Sequence, residues 1–243
     1  MSNLTIRFSD VSKNFGEISA LENIDIKVQA GEFLALIGPS GCGKSTLLRL
    51  ASGLDDPSLG KIDVFTNKVG YVFQDANLMP WRTVRKNIGL LAELEKFDRE
   101  KIKKKTDEVL KLVGLEEFAN HYPIALSGGM KMRASLARSL VLDPELFLFD
   151  EPFGALDLIT RGRLNVELMQ LYTSKKFTSL FVTHSVEEAL FLSSRVFVFS
   201  GRPGKIKGEF KVPFDYPRDP KIRYSSVFSK LSGKVGKILE DYS

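Results

Sequence analysis

The chain of 243 residues has one cysteine, Cys42. An intrachain disulfide is therefore excluded, as is any paired-cysteine metal motif, and a reducing compartment fits. Long hydrophobic runs are missing too. Phe33–Ile37 and Val196–Phe199 are the strongest, far below the roughly 18 residues of a spanning helix. The chain is not expected to cross a membrane by itself. Its opening, Met-Ser-Asn-Leu-Thr-Ile-Arg, has no basic segment followed by an apolar run, so no signal peptide is expected. Charge of one sign is scarce: 35 Lys and Arg stand against 30 Asp and Glu, a net +5. That balance describes a mixed solvated surface and not a nucleic-acid footprint. No repeat, linker or sustained heptad pattern is visible, which excludes solenoids and coiled coils.

What remains is an ordinary globular composition, 43% apolar and 27% charged. At about 150 residues per domain, one large domain with an insertion fits best. Leu4, Ile6 and Phe8 alternate with polar neighbours, as do Ile24, Ile26 and Val28. Both stretches predict half-buried strands of an antiparallel sheet. Phe33–Ile37, Leu146–Phe149, Ser179–Val182 and Val196–Phe199 are apolar on both faces, which suggests buried parallel strands. Between them lie helical patterns. Ile102, Val109, Leu110 and Val113 share a face, Gly114 supplies a stop, and Lys101 to Lys105 fall on the solvated side. Another helix is expected from Val186 to Leu192 after Ser185. Alternating strands and helices predict an α/β fold. The stretch of about 77–137 has no convincing strand and reads as a helical insertion. From Pro220 onward the pattern predicts a weak helix broken by Gly233 and Gly236.

Chemistry concentrates at Gly38-Pro-Ser-Gly-Cys-Gly-Lys-Ser-Thr46, which matches G-x-x-x-x-G-K-[ST]. Gly38, Gly41 and Gly43 let the backbone wrap closely around phosphate oxygens. Ser40, Cys42 and Thr46 complete the loop, Cys42 as a small filler. The loop opens a helix whose free N–H groups favour an anion. Lys44 adds a charge for the β- and γ-phosphates, and Ser45 offers a hydroxyl to Mg²⁺. Asp150 closes the apolar run Leu146–Phe149, where a carboxylate can hold the metal through its waters. Glu151 follows and is placed to act on an attacking water.

Leu126-Ser-Gly-Gly-Met130 then completes a resemblance to the ATP-binding subunits of ABC transporters. The segment resembles that family's signature. Ser127 can cap a helix, while Gly128 and Gly129 bare N–H groups for a second anion. The resemblance covers essentially all of 1–243. It implies a phosphate-loop ATPase core with a mostly parallel sheet, an N-terminal antiparallel β-subdomain and a helical subdomain carrying the signature. It implies that Gln74 touches Mg²⁺ and senses the γ-phosphate, that Asp157 links the two sites of a dimer, and that His184 is the γ-phosphate switch. Phe15 resembles the aromatic that stacks on adenine, a core role being the other reading. ATP and Mg²⁺ are the implied cofactors. A second copy is the implied partner, with ATP held between one subunit's loop and the other's signature. Two features depart from the family. Met130 stands where glutamine is usual, and the arm from Lys44 to Gln74 is short. The short arm leaves the outer sheet near Lys61 to Val72 open.

The segment Asp75 to Asn87 resembles the import branch serving nitrate, sulfonates, taurine and pyrimidine precursors. Gly201-Arg-Pro-Gly-Lys-Ile206 and Pro217-Arg218 resemble it too. That implies peripheral attachment to the cytoplasmic face of the membrane. An integral membrane permease would seat near Met79 and Trp81, and an extracytoplasmic solute-binding protein would act indirectly. No nucleic acid is expected. A non-transport ABC ATPase, in DNA repair or iron–sulfur assembly, is the alternative. Its coiled-coil or zinc-binding insertions are missing here.

Overall fold

Alternating apolar residues at the start of the chain build a long hairpin. β1 (Leu4–Phe15) pairs antiparallel with β2 (Ile18–Gln29), burying Ile6, Phe8 and Val11 against Leu21, Ile24, Ile26 and Val28. The register breaks between Phe8 and Val11, where Asp10 takes φ 50°. β3 (Phe33–Ile37), wholly buried, leads into the phosphate loop and α1 (Lys44–Ala51). β4 (Leu59–Val64) returns to the free side of β1, so the antiparallel sheet has the order β2-β1-β4. β5 (Val69–Val72) instead joins the large sheet. The segment from Lys61 to Val72, left open by the sequence, is thus divided between two sheets. The computed structural model describes residues 4–242.

Four helices follow without a strand: α2 (Val84–Ile88), α3 (Leu90–Leu94), α4 (Arg99–Leu112) and α5 (Gly128–Leu140). The capping is local and legible. Thr83 Oγ1 accepts from Lys86 N, Asp98 Oδ1 from Lys101 N and Ser127 Oγ from Met130 N. Each satisfies an N–H that the first helical turn leaves free. β6 (Leu146–Asp150), α6 (Leu158–Lys175), β7 (Thr178–Thr183), α7 (Val186–Leu192), β8 (Arg195–Phe199) and β9 (Ile206–Lys211) complete the core. The large sheet has the order β5-β6-β7-β3-β8-β9, parallel except for β9. One face packs Phe33, Phe149 and Phe181 under α5 and α6; the other packs Leu34, Leu36 and Leu148 against β1, β2 and α1. Both faces being covered explains why these strands carry no alternation.

The last helix departs from expectation. α8 (Ser226–Asp241) runs unbroken through Gly233 and Gly236. Phe228, Leu231, Val235 and Ile238 share its inner face and join the cluster with Ala189, Val196 and Val198. Each glycine costs a helix roughly 1 kcal/mol. Burying several large side chains at about 1.5–3 kcal/mol each outweighs that.

Candidate active site

The C-terminal ends of β3, β6 and β7 lie side by side, since they are adjacent parallel strands. Their loops therefore open onto one edge, where open α/β sheets bind ligands. A cavity of about 520 Å³ there is lined by Phe15, Ile18, Ala20, Ser40, Gly41, Gly43, Lys44, Ser45, Thr46, Gln74, Glu151 and Arg202. Residues far apart in sequence are thus brought to one place.

The phosphate loop is shaped by its glycines. Gly41 and Gly43 hold φ 75° and 101°, a region that L side chains rarely adopt. A Cβ on Gly43 would lie 2.7 Å from Ala20 O, and one on Gly38 2.9 Å from Phe199 Cβ. Lys44 is 4% exposed. Its Nζ donates to Gly38 O and Pro39 O, both at 2.8 Å. It also donates to Cys42 Sγ at 3.6 Å, so all three of its partners are uncharged. Among the described residues no carboxylate pairs with this ammonium, so its field reaches into the cavity. The loop and its buried cation fit a polyphosphate.

Ser45 Oγ donates to Asp150 Oδ1 at 2.7 Å, and Tyr71 OH donates to Asp150 Oδ2 at 3.3 Å. Burial is the largest influence on Asp150 and pushes its carboxyl above the usual range. The bonds from Ser45 and Tyr71 act against it, Glu151's charge adds to it and Lys44's opposes it. Burial, then Asp150's charge, raise the Tyr71 phenol well above its ordinary value, so it stays a donor. A hydroxyl beside a carboxylate is a hard-oxygen set that suits Mg²⁺, an ion that keeps several waters and phosphate ligands. Among the described residues no group of three or more His, Cys, Asp or Glu side chains is placed to hold a metal ion. That fits an ion carried in with a phosphate chain and not a caged one.

Glu151 has φ 45°, and its N–H donates to Val182 O at 3.0 Å. Its Oε2 lies 3.1 Å from His184 Nδ1. The acid after β6 and the histidine after β7 therefore meet, although 33 residues separate them. Phe15 is 48% exposed and is no core residue. Lys13 Nζ sits 4.9 Å from its ring centroid.

Ser127, Gly128 and Gly129 do not line this cavity. They open α5 next to the loop after β6. A Cβ on Gly129 would lie 2.8 Å from Thr160 Cγ2, and one on Gly128 3.2 Å from Leu156 Cδ2. Asp157 caps α6, accepting from Ile159 N and Thr160 N. These bonds hold its carboxyl below the usual range, the Thr160 bond first. Trp81 is 72% exposed, whereas Met79 is half-buried.

Several residues escaped the sequence. Arg161 Nη2 donates to Gly154 O and Leu156 O at 3.0 and 3.1 Å, and its Nε lies 3.8 Å from the buried Glu188. Glu188 also accepts from Thr183 Oγ1, just before His184. Arg138, near the end of α5, donates to Ala76 O and Asn77 O at 3.0 and 2.7 Å. Buried Asn87 holds the Met79–Thr83 segment through four bonds. All of these grip main-chain atoms or act at long range. The signal available in sequence for Asn87 and Arg138 was only a polar residue on an apolar helix face.

The family profile described as ABC transporter matches residues 21–154. An ABC transporter ATP-binding protein of Methanocaldococcus jannaschii, itself uncharacterised, is 47% identical over 94% of this chain and 87% of its own length. An aliphatic sulfonates import ATP-binding protein of Bacillus cereus is 40% identical over 96% and 94%. Among solved structures, a dimeric ATP-binding cassette with ADP and phosphate is 32% identical, with TM-score 0.75, over 86% of this chain and all of its own. The structure of cbiO1 of Clostridium perfringens, part of the ABC transporter complex cbiONQ, at 24% identity and TM-score 0.79, shares the fold over 98% of both chains. The geometry and these likenesses agree: the chain belongs to the ABC transporter family, as an ATP-binding ATPase of it.

Proposed function

We propose that this ATPase powers the import of a small solute through a partner membrane permease, as a peripheral subunit on the cytoplasmic face. The observation that carries the reading is the incompleteness of the site. Lys44, Ser45, Gln74 and Glu151 share one cavity, while the signature glycines stand outside it, against Leu156 and Thr160 on either side of Asp157 in sequence. A second copy, placed head to tail, would bring its Ser127 and Gly129 N–H groups to the open side. The likeness to a solved dimeric cassette supports this arrangement. The whole of 1–243 acts as one ATP-binding domain, with about 77–137 as its helical subdomain.

In this reading, Phe15 stacks on adenine, and Gly38 to Thr46 enclose the phosphates. Ser45, Asp150 and Gln74 hold Mg²⁺, directly or through water. The ion, when bound, neutralises charge on the phosphate oxygens. Glu151 accepts a proton from water as the water oxygen attacks the γ-phosphorus. The bond from the γ-phosphorus to the bridging oxygen breaks, leaving ADP and phosphate. His184, already bonded to Glu151, orients it and holds the γ-phosphate. A general base of this kind contributes about 10²–10⁴ in rate. ATP binds the closed dimer better than the open monomers, and that difference is what closes the pair. Asp157 passes the state of one site to the other. Trp81 and Met79 seat the permease. The imported solute belongs to the nitrate, sulfonate, taurine or pyrimidine-precursor group, a reading supported by the likeness to an aliphatic sulfonates import protein.

The test is Glu151→Gln, sized by light scattering with and without Mg-ATP. The variant should dimerise only with ATP and release phosphate at least a hundredfold more slowly. Hydrolysis at the wild-type rate refutes the base assignment. A monomer with ATP demonstrably bound refutes the self-sufficient homodimer.

A further inference from the structure

The turn Ser200–Lys205, between β8 and β9, is bolted to the nucleotide cavity. Gly204 N donates to Ala20 O at 2.9 Å, and Glu22 N donates to Gly204 O at 3.1 Å. A Cβ on Gly204 would fall 2.0 Å from Cys42 O, so only glycine lets the turn lie this close to the phosphate loop. Lys205 Nζ reaches Glu22 Oε1 at 2.7 Å. Ser200 closes the turn on itself, donating from Oγ to Pro203 O and from N to Lys205 O. An arginine at the tip of so fixed a turn is aimed, although its side chain is exposed.

That arginine is Arg202. Its Nε and Nη2 both donate to Gly41 O, at 3.3 and 3.1 Å. One carbonyl thus occupies two donors of the five in a guanidinium. The Nη1 pair and the second Nη2 hydrogen have no described protein acceptor. No carboxylate pairs with Arg202 among the described ion pairs, unlike Lys205. The group lines the cavity between two landmarks. On one side stands the hairpin end, where Phe15 pairs with Ile18 and Ala20 follows. On the other stands the loop from Gly41 to Thr46. A nucleotide with its base on Phe15 and its outer phosphates in the loop must pass its sugar and first phosphate by this point.

We infer that Arg202 binds the ribose and α-phosphate end of the nucleotide, as an affinity-setting contact that ATP and ADP share. This rests on the phosphate-loop reading of Gly38 to Thr46. A planar fork with free donors and no competing carboxylate suits a phosphate oxygen. Because the α-phosphate is present before and after hydrolysis, the contact raises affinity without favouring ATP over ADP.

The experiment measures binding of ATP, ADP and inorganic pyrophosphate by calorimetry, on wild type, Arg202→Ala, Arg202→Lys and Lys44→Ala. Pyrophosphate fills the loop but lacks the sugar and the first phosphate. Arg202→Ala should weaken ATP and ADP together by about tenfold, equal to about 1.4 kcal/mol. Pyrophosphate affinity should not change. Arg202→Lys, which keeps the charge and loses the fork, should recover part of the loss. If all three ligands weaken alike, Arg202 only props Gly41 and the proposal is overturned. Unchanged ADP affinity in Arg202→Ala overturns it as well. Lys44→Ala separates this from the parent reading: it should lose pyrophosphate and ADP together. If it binds both normally, the phosphate-loop reading has failed, and the Arg202 contact with it.

Discussion

Removing the side chain of Asn87 tests how the segment after Gln74 is held. Asn87 is fully buried. Its Oδ1 accepts from Met79 N at 2.7 Å, and its Nδ2 donates to Met79 O, Arg82 O and Thr83 O at 2.9–3.1 Å. Asn87→Ala deletes all of these contacts, in which two Nδ2 hydrogens are shared among three carbonyls, so they amount to about three full hydrogen bonds. At about 1 kcal/mol net each, the loss is about 3 kcal/mol. Met79 O keeps Arg82 N, and Thr83 O keeps Asn87 N, so those carbonyls are not orphaned and add no further cost. In a chain of this size the corresponding fall in Tm is about 6–12 °C, at 2–4 °C per kcal/mol. The assay is urea unfolding combined with limited proteolysis. Cleavage should appear first between Met79 and Thr83, while ATP affinity stays within threefold. A loss below 1 kcal/mol with the segment still protected would refute the claim that Asn87 pins it. A loss of that size with ATP binding abolished would refute the claim that the pin serves the segment and not the phosphate loop.

Asp150→Asn should raise the Tm of the nucleotide-free protein in EDTA at pH 7 and abolish Mg-ATP hydrolysis. Burial raises Asp150 in the folded chain, so its ionised form opposes folding. The gain should be full above the raised folded pKa and fade as pH falls toward the ordinary aspartate value; a Tm below wild type at pH 7 breaks the argument. Gly43→Ala should lose nucleotide binding by at least a hundredfold, since its φ of 101° and the 2.7 Å approach to Ala20 O leave no room for a methyl; near-normal ATP affinity would contradict the close-wrap account. Trp81→Ala should leave the subunit's own stability within about 0.5 kcal/mol, as expected of an exposed side chain. Its co-purification with the permease should fall at least tenfold, and undiminished recovery would move the docking surface elsewhere.

Much of this was legible in the residues, and the legible parts share a cause. β3, β6, β7 and β8 are buried on both faces and so appear as plain apolar runs. Ser127 and Ser185 cap helices by local bonds that neighbours in sequence can make. The phosphate loop is readable because glycine is the only residue that meets its backbone demands. β4 was not legible, because Leu59–Val64 is largely exposed and shows no alternation. The continuity of α8 was missed because its glycines are outweighed by packing on distant strands. Arg138, Arg161, Asn87 and Arg202 were missed for another reason. They bind main-chain carbonyls, and every residue has one, so no partner residue type marks the pair.

α5 begins at the signature glycines and ends in the grip of Arg138 on Ala76 O and Asn77 O. Ten residues of helix make a rod about 15 Å long between them. In the proposed dimer, the signature end would meet the second copy's nucleotide. The other end holds Ala76 and Asn77, which follow β5 and lead into the segment proposed above to seat the permease. A continuous hydrogen-bonded helix is stiff along its axis, which gives the proposed dimer a physical route between these two ends. In the proposed importer, any preference that nucleotide closure imposed on the permease would be returned as an equal change in nucleotide affinity. Arg138→Met would loosen one end only. In that reading, the variant's nucleotide affinity would no longer respond to whether a permease is seated, like an engine running with the clutch disengaged.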